Sequence, residues 1–370
     1  MALTQVPNSM LAFDGGPLGM RNRIINGDMR IDQRNAGVEV NPAVTATYYL
    51  DRWQATSTAA SKFKIGQNAG AVTPPTGYIN YLGLTSLSSY TVGAAESFGV
   101  RQLIEGLNVS DLAWGTASAA TVTISFWVRS SLTGTFGGSL RNSDGTRSYP
   151  FTYTVSVANT WEQKTVTIAG DTSGTWLTTN GIGIILIFSI GAGSTFSGTA
   201  GAWAAANYLS ATGATSVVGT SSATFYITGV QLEVGSVATP FERRLYGQEL
   251  ALCQRYAYKT IGSTATYCYF PASGAVDSTT TAQFVEMFPV PMRSSSALAL
   301  TTTGTAANYS LYVAGAVRAC TVVPTIGAPQ GSGDACHFTG TTSAVLTAGQ
   351  ACQLIGTNAS GAYLLWTSEL

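Results

Sequence analysis

Residues Val230–Lys259 read VQLEVGSVATPFERRLYGQELALCQRYAYK, and this stretch decides how the chain is divided. Polar and apolar residues alternate up to Gly235, which is typical of a β-strand with one buried face. Pro240 then interrupts the strand pattern, and the residues that follow carry apolar side chains at helical spacing, which predicts a helix over Phe241–Tyr258. The stretch therefore predicts a β domain that ends near Gly235 and a helix that links it to a second region.

The strand that closes the β domain contains an irregularity. Phe225 and Ile227 share one phase of the alternation, whereas Val230 and Leu232 share the other. One extra residue at Gly229 would bring both pairs onto the same face, because a β-bulge places two residues opposite one. We therefore predict a bulge at Gly229.

Several earlier segments show the same two-residue period. In Thr121–Arg129 the apolar residues occupy alternate positions, and Phe151–Val157 repeats the scheme. Gly181–Ile190 is almost entirely apolar, which favours a central strand covered on both faces. Many short strands separated by Gly-rich turns predict an all-β chain with an antiparallel, jelly-roll-like β-sandwich, one linking α-helix and a second, small C-terminal β domain.

The length of 370 residues agrees with two or three domains. We place an N-terminal attachment arm at residues 1–23, where Gly and Pro are frequent, and the β-sandwich at 24–238. The linking helix follows at 239–260 and the C-terminal β domain at 261–370. Short strands are expected in this last domain at 266–270, 283–290, 309–313 and 362–367.

Charged residues make up only 10% of the chain, and 18 basic residues balance 18 acidic ones. Nucleic acids and anionic membranes attract proteins with a positive field, so neither is an expected partner. The apolar run at 182–190 is too short to cross a bilayer, and no membrane insertion is expected. A surface with so little charge agrees with burial between subunits or with a neutral surface rich in Ser, Thr and Gly.

The residue types that support metal binding and nucleophilic catalysis are scarce. The five cysteines (Cys253, Cys268, Cys320, Cys336 and Cys352) form no CxxC pair and are expected to be small buried residues in a protein made in a reducing cytosol. His337 is the single histidine, and a strand would direct its side chain away from that of Cys336. A His-based metal site or triad is therefore not expected.

Glycoside hydrolysis would need two carboxylates on either side of a sugar linkage. Seven acidic residues are candidates, but nothing in the sequence places any two of them together, and we predict that the chain is not an enzyme. These are Asp51, Glu96, Glu105, Asp111, Glu162, Glu233 and Glu242.

Aromatic side chains are better candidates for a function. Exposed aromatic rings bind the apolar faces of sugars, with nearby polar groups that fix the orientation. The alternative is that each ring packs within the fold or against another subunit. The carbohydrate-binding candidates are Trp127, Trp176, Trp203, Tyr208 and Trp366.

Five motifs, taken together, resemble the carbohydrate-binding-like modules of tail-fibre and tail-associated virion proteins of tailed bacteriophages. A further resemblance joins the last segments to the short C-terminal domain of the same proteins. The motifs are 22–28 with 49–53, 101–106, 125–130, 201–203 with 225–235, and 240–256; the C-terminal resemblance lies at 288–293 and 362–366.

This resemblance implies a non-enzymatic virion protein, a tail fibre or receptor-binding subunit that contacts glycans of the host surface. It implies a homotrimer, attachment to other tail or baseplate proteins through residues 1–23, and a location on the virion tail after synthesis in the host cytoplasm. One side of the predicted helix would supply the contacts between subunits. Its candidates are Tyr246, Leu250, Cys253 and Ala257.

Relatives of such modules often hold a structural calcium with acids after the opening Asn-Gly and in the last strand. Here Met29 and Arg30 follow Asp28, and Thr228 and Gly229 stand where the later acids would be expected. We therefore predict no metal and no cofactor. Two other functions stay open: a structural decoration or adaptor fibre that binds only virion proteins, and, less favoured, a polysaccharide depolymerase.

Overall fold

The computed structural model describes residues 20–261, 268–327, 331–343, 345–357 and 361–370. The chain forms two compact units, the first comprising residues up to Leu245 together with Leu370, and the second Tyr246–Glu369. Most of the predicted attachment arm, residues 1–19, lies outside the described residues. The described residues Asn22 and Arg23 are buried, so the end of that arm belongs to the first unit.

The first unit is built from thirteen strands in its described part. Three single 3₁₀ turns interrupt them, at Gly106–Asn108, Ser110–Leu112 and Ser194–Phe196. In chain order the strands are β1 Thr47–Leu50, β2 Trp53–Ser57, β3 Phe63–Gln67, β4 Leu82–Ser86, β5 Ser97–Glu105, β6 Val122–Ser130, β7 Gly134–Arg141, β8 Ser148–Val155, β9 Glu162–Ile168, β10 Ile182–Ala192, β11 Ser197–Gly198, β12 Ser210–Ala211 and β13 Thr224–Val234.

Two antiparallel sheets form the predicted sandwich. A six-stranded sheet has the order β1-β2-β5-β10-β7-β8, and a five-stranded sheet has the order β3-β4-β13-β6-β9, while β11 and β12 form a short parallel pair. The inward residues of β6 alternate as predicted: Val122, Ile124, Phe126 and Val128 are all buried in the core between the sheets. Burial of each such side chain contributes about 1.5–3 kcal/mol, so alternation is the main determinant of this register.

β10 occupies the middle of the six-stranded sheet, between β5 and β7, and is buried on both faces as predicted. On its outer face Ile185 and Ile187 form a second apolar cluster with Leu103 of β5. Tyr48, Ile182, Leu209 and Leu370 pack around this cluster.

The bulge predicted in β13 is confirmed. Thr228 pairs with Trp127 and Gln231 with Ser125, so one extra residue lies on the β13 side. Gly229 adopts a φ of 60°, and a Cβ there would lie 2.6 Å from the Tyr78 hydroxyl. Glycine is required here both by the backbone conformation and by the close approach of Tyr78.

The segment after β13 is bound to the beginning of the first unit and is not helical up to Leu245. The Glu242 carboxylate accepts a hydrogen bond from the Asn22 backbone N–H at 2.7 Å, and Arg244 donates to the carbonyl oxygens of Asn22 and Ile24. These non-local bonds hold residues 239–244 outside the helix. The prediction of a helix over Phe241–Tyr258 is therefore wrong in its extent: the helix, α1, spans Tyr246–Gln254.

The second unit begins with α1, which is the one α-helix among the described residues, and continues with short strands and a 3₁₀ turn at Ala306–Asn308. The strands are β14 Ala257–Ile261, β15 Cys268–Val276, β16 Thr281–Met287, β17 Ala299–Thr301, β18 Tyr309–Val313, β19 Ala316–Ala319, β20 Thr325–Ile326, β21 Ala335–Thr341, β22 Ala351–Gly356 and β23 Tyr363–Thr367.

These strands form a three-stranded sheet, β14-β23-β17, and a seven-stranded sheet, β19-β18-β22-β15-β16-β21-β20. Their inward residues make a separate core that includes Phe284, Phe338 and Trp366. Cys336 is buried on β21 and His337 faces the other way, as the strand pattern predicts. The fold is thus all-β with one helix, an antiparallel sandwich and a C-terminal β unit.

Candidate functional site

Three tryptophans from different loops meet at one place in the first unit. Trp114 follows the 3₁₀ turn at Ser110–Leu112, Trp176 lies between β9 and β10, and Trp203 lies between β11 and β12. Their ring centroids are separated by 4.7, 5.3 and 5.4 Å in edge-to-face arrangements, and Tyr149 lies 5.2 Å from Trp203. We call these four residues the tryptophan cluster.

Backbone carbonyl groups fix the orientation of all three indoles. Trp114 Nε1 donates to the oxygen of Ala120 at 2.8 Å, Trp176 Nε1 to that of Ser173 at 3.1 Å, and Trp203 Nε1 to that of Ala169 at 2.8 Å. An indole whose N–H is already bonded within the protein offers a ligand its ring face. The rings are thus held before any ligand arrives, which lowers the entropic cost of binding.

The members of the cluster differ in exposure. Trp114 is buried, with 7% of its surface exposed, and contacts both other rings. Trp176 and Trp203 are half-buried. The cavity beside Trp114 and Trp176 has a volume of about 10 Å³. That is room for about one water molecule. The cavity is therefore too small for a larger ligand, and the exposed parts of the cluster are the rings of Trp176 and Trp203.

An ion pair braces the loop that carries Trp176. Arg147 donates from Nε and Nη2 to both carboxylate oxygens of Asp171, at 2.7 and 2.6 Å, and Asp171 is buried. The backbone N–H of Gly115, next to Trp114, donates to the Asp171 carbonyl oxygen at 2.7 Å. A bidentate pair fixes both angle and distance, so it ties the Trp114 loop and the Trp176 loop to the β7–β8 turn.

Two of the five predicted carbohydrate-binding residues, Trp176 and Trp203, come together in the cluster. Trp127 does not: it projects from β6 on the five-stranded sheet, where its indole is hydrogen-bonded to the Tyr78 hydroxyl. Tyr208 is half-buried, and its ring packs against Gly198. Among the described residues, neither makes a ring contact with the cluster.

The prediction that Trp366 contacts a sugar is wrong. Trp366 is 0% exposed in the core of the second unit, with its ring 5.4 Å from that of Phe338 and 5.7 Å from that of Phe288. β23 places Leu364 and Trp366 on the same inward face. A buried ring has no face to offer a ligand.

Two members of the predicted oligomer face are also placed differently from the expectation. Ala257 lies on β14, because α1 ends at Gln254, and Cys253 is buried in α1. Neither side chain is accessible to another copy of the chain. Tyr246, which is 59% exposed, and Leu250, which is half-buried, remain accessible on the helix.

Trp114 and Tyr149 belong to the cluster but were not selected from the sequence. Trp114 lies in a Gly- and Thr-rich loop like that of Trp176, which is the signal that could have selected it. Tyr149 lies at the beginning of β8, in phase with the core residues Phe151 and Tyr153, so its pattern predicts burial alone.

Most of the acidic side chains considered for hydrolysis accept hydrogen bonds within the protein. Hydrogen bonds from the Gly93 backbone N–H and the Tyr90 hydroxyl lower the pKa of Glu96. Five of the other acidic side chains accept hydrogen bonds from neighbouring side chains: Asp51 from Gln33, Asp111 from Arg23, Glu162 from Lys164, Glu233 from Thr239 and Glu242 from Arg244.

The residues at the positions where related modules carry calcium-binding acids make contacts within the protein. Arg30 lies 3.1 Å from the Asp28 carboxylate, and the Thr228 hydroxyl donates to the carbonyl oxygen of Asn80 at 2.7 Å. Within the described ranges, no group of three or more His, Cys, Asp or Glu side chains is arranged to hold a metal. No helix of the described part is long and apolar enough to cross a membrane.

No protein-family model matches the chain, and no curated protein matches it. Among solved structures, the enzymatically active domain of tailspike protein 4 of bacteriophage CBA120 matches 58% of this chain and 22% of its own, at 11% identity and a TM-score of 0.33. This chain therefore spans about a fifth of that tailspike chain.

Carbohydrate-binding modules match a similar share of the chain, over nearly their whole length. A family 61 module solved with β-1,4-galactotriose matches 58% of this chain and 99% of its own, at 10% identity and a TM-score of 0.29. A family 11 module from Clostridium thermocellum, solved with a mixed-linked tetrasaccharide, matches 54% and 98%, at 14% identity and a TM-score of 0.27. All three TM-scores are low, so these matches do not identify a ligand of this chain.

Proposed function

We propose that the first unit binds carbohydrate across Trp176 and Trp203. The observation that carries the proposal is the tryptophan cluster itself: two half-exposed indole rings, each with its N–H bonded to the backbone, lie 5.4 Å apart. Half-exposed indole rings whose N–H groups are already bonded offer apolar faces of about the size of a pyranose ring. Sugars bind such faces through their axial C–H groups while their hydroxyl groups keep polar contacts.

The surroundings of the cluster support a sugar more than a purely apolar ligand. The loop at 172–180 that carries Trp176 is exposed and rich in Ser, Thr and Asn. Its hydroxyl and amide groups can bond to sugar hydroxyl groups at the rim, and the Arg147–Asp171 pair keeps the rim in place. An apolar platform with a few polar groups around it is the usual composition of a small-molecule site.

At the level of the whole chain, we propose a non-enzymatic tail fibre or receptor-binding subunit of a tailed phage virion, which contacts glycans of the host surface. The resemblance of residues 22–28, 101–106 and 240–256 to tail proteins supports the virion assignment. The internal contacts of the acidic residues support a binding role without hydrolysis. A homotrimer is part of this proposal, and native mass spectrometry that finds a stable monomer would contradict it.

The test replaces both platform residues, Trp176→Ala with Trp203→Ala, and measures binding to a glycan array and then by titration with each glycan that is bound. We expect affinity to fall at least tenfold, which is about 1.4 kcal/mol. The matched control is Trp161→Ala. Trp161 is also half-buried and also donates its indole N–H to a backbone oxygen, that of Thr73 at 2.8 Å, but it contacts Tyr81 and Tyr226 away from the cluster.

A double variant that keeps full affinity while the protein binds glycans would contradict the platform. If the wild-type chain binds no glycan of the host surface, the structural adaptor is favoured instead. If it shortens the polysaccharide on incubation, the chain is a depolymerase.

A further inference from the structure

A row of three side chains crosses the outer face of the seven-stranded sheet in the second unit. Tyr312 of β18 pairs in register with Gln353 of β22, and Gln353 pairs with Ser273 of β15. Gln353 is exposed between the buried residues Cys352 and Leu354, so it projects away from the core, and its paired neighbours project from the same face. Neighbouring strands lie about 4.8 Å apart, so the row spans about 10 Å.

Small residues beside this row leave room for a ligand. The row lines a cavity of about 300 Å³, and its lining also includes Gly274, Ala314 and Ala351, which carry at most a methyl group. That volume is at the lower end of the range for small-molecule sites, which is about 300–1,000 Å³. Ser273, Gln353, Ala314 and Ala351 are all exposed. The cavity is therefore open to solvent and has room for a ligand of one or two six-membered rings.

The polar groups of the row are available to a ligand. Within the described part of the chain, the side chains of Gln353 and Ser273 make no hydrogen bond. An amide and a hydroxyl group can each donate and accept. The half-buried ring of Tyr312 packs edge-to-face on Tyr269, with centroids 6.1 Å apart. The row therefore offers one aromatic ring beside two unpaired polar groups.

The cavity carries no charge at neutral pH. None of the described residues that line it is acidic or basic. Cys352 also lines it, and burial raises the pKa of this thiol to about 11, so the thiol stays protonated. A charged ligand would lose hydration here without gaining a partner of opposite charge. The lining therefore favours a neutral ligand.

We propose that Tyr312, Gln353 and Ser273 form a second carbohydrate site, which binds one or two rings of a neutral sugar. The tyrosine ring would contact the C–H groups of the sugar, while the amide and the hydroxyl group would bond to its hydroxyl groups. This inference goes beyond the proposed platform, because it concerns other residues in the other unit and does not depend on Trp176 and Trp203.

The test starts from the full chain with Trp176→Ala and Trp203→Ala, so that the platform cannot bind. Calorimetric titration with glucose, galactose, mannose, N-acetylglucosamine, lactose and cellobiose should find at least one sugar that binds saturably, with one site per chain. Added salt should leave this affinity unchanged, because salt screens charges and the site has none. The glucuronate form of the sugar should bind more weakly than the neutral form.

Further substitutions in this background assign the binding to the row. Tyr312→Ala should weaken it by about tenfold or more, whereas Tyr312→Phe keeps the ring and should retain most of it. Gln353→Ala should also weaken binding. Ala351→Phe fills the cavity without removing any residue of the row, and should abolish binding. The control is Tyr363→Ala, which removes a half-buried tyrosine from the three-stranded sheet of the same unit and should leave affinity unchanged.

Thermal unfolding of each variant verifies that the second unit is folded. The inference would be overturned by the absence of saturable binding of any neutral sugar, by unchanged affinity in Tyr312→Ala and Ala351→Phe, or by an equal loss in the control. If Tyr312→Ala instead dissociates an oligomer in native mass spectrometry, this face is a contact between copies of the chain and the sugar site is wrong.

The two proposals fail separately, because each has its own variants. If every glycan bound by the wild-type chain depends on Trp176 and Trp203 and none depends on Tyr312, only this inference is wrong. If every bound glycan depends on Tyr312 and Gln353 alone, the platform is wrong.

Discussion

The half-exposed tryptophans of the first unit and the tryptophan of the second unit lie in opposite environments. In the first unit, Trp176 and Trp203 lie in loops, are half-exposed, and donate their indole N–H groups to backbone oxygens. In the second unit, Trp366 lies on a strand, is fully buried, and its Nε1 has no hydrogen-bond partner within the described residues. Trp176 and Trp203 each keep part of their ring surface exposed, whereas Trp366 packs against Phe288 and Phe338.

This difference shows what separates a binding residue from a core residue when both have the same side chain. A tryptophan that satisfies its N–H locally can stay at the surface in one orientation. A tryptophan whose N–H is left unpaired contributes through packing, because the unpaired group itself costs free energy. The hydrogen bond of the indole nitrogen does not separate the two roles by itself, because Trp53 of the first unit is fully buried and also donates its N–H to a backbone oxygen, that of Asn26 at 2.9 Å. Exposure of the ring is what separates them.

The largest expected effect is on stability. Trp366→Ala should destabilise the second unit by about 3–5 kcal/mol, the range found when a large buried side chain is removed from a core. Trp203→Ala, at a half-exposed position, should cost about 1–2 kcal/mol. Denaturant unfolding, with hydrogen exchange of β23 and β8 to assign the loss to each unit, measures both.

Trp366→Phe serves as the control, since it keeps most of the packing and removes the unpaired N–H. It should cost much less than the alanine variant. Equal destabilisation by Trp203→Ala and Trp366→Ala would remove the distinction between a platform and a core residue.

A smaller effect is the pH dependence of stability, which we expect to differ between the two units. Glu286 faces the core of the second unit, where burial raises its pKa to about 7 against a hydrogen bond from Tyr258 that lowers it. The folded state therefore binds the proton more tightly than the unfolded state does. Its contribution to stability is present below about pH 4.5 and is lost as the pH rises through about 7, a change on the order of 3 kcal/mol.

Glu286→Gln should remove this loss and leave the second unit more stable than wild type at pH 8. Thermal unfolding across this pH range measures the effect. Glu162→Gln, in the first unit, should leave the pH dependence of the second unit unchanged. A wild-type second unit that is as stable at pH 8 as at pH 4.5 would show that the pKa of Glu286 is not raised in the folded state.

The sequence predicted the features that depend on local pattern. The inward alternation of Val122, Ile124, Phe126 and Val128, the double burial of β10 and the bulge at Gly229 are confirmed. Each follows from the two-residue period of a strand or from the conformational freedom of glycine.

Features that depend on distant contacts could not be predicted in this way. The helix is shorter than its pattern because Glu242 and Arg244 bind the backbone around Asn22, more than 200 residues earlier in the chain. The tryptophan cluster needs three separate loops to meet, and the row of Tyr312, Gln353 and Ser273 needs the strand order of the seven-stranded sheet. The burial of Trp366, in contrast, could have been predicted from the sequence. Trp366 lies two residues after Leu364 and therefore on the same face of β23.

We propose that a bound glycan lies on Trp176 and Trp203. The most direct measurement follows the indole N–H resonances of the isotopically labelled protein during titration with a glycan that it binds. We expect the Trp176 and Trp203 resonances to shift with ligand concentration, with a smaller change at Trp114, whose ring contacts both, while those of Trp161 and Trp366 stay unchanged. Saturable binding that leaves the Trp176 and Trp203 resonances in place would contradict it.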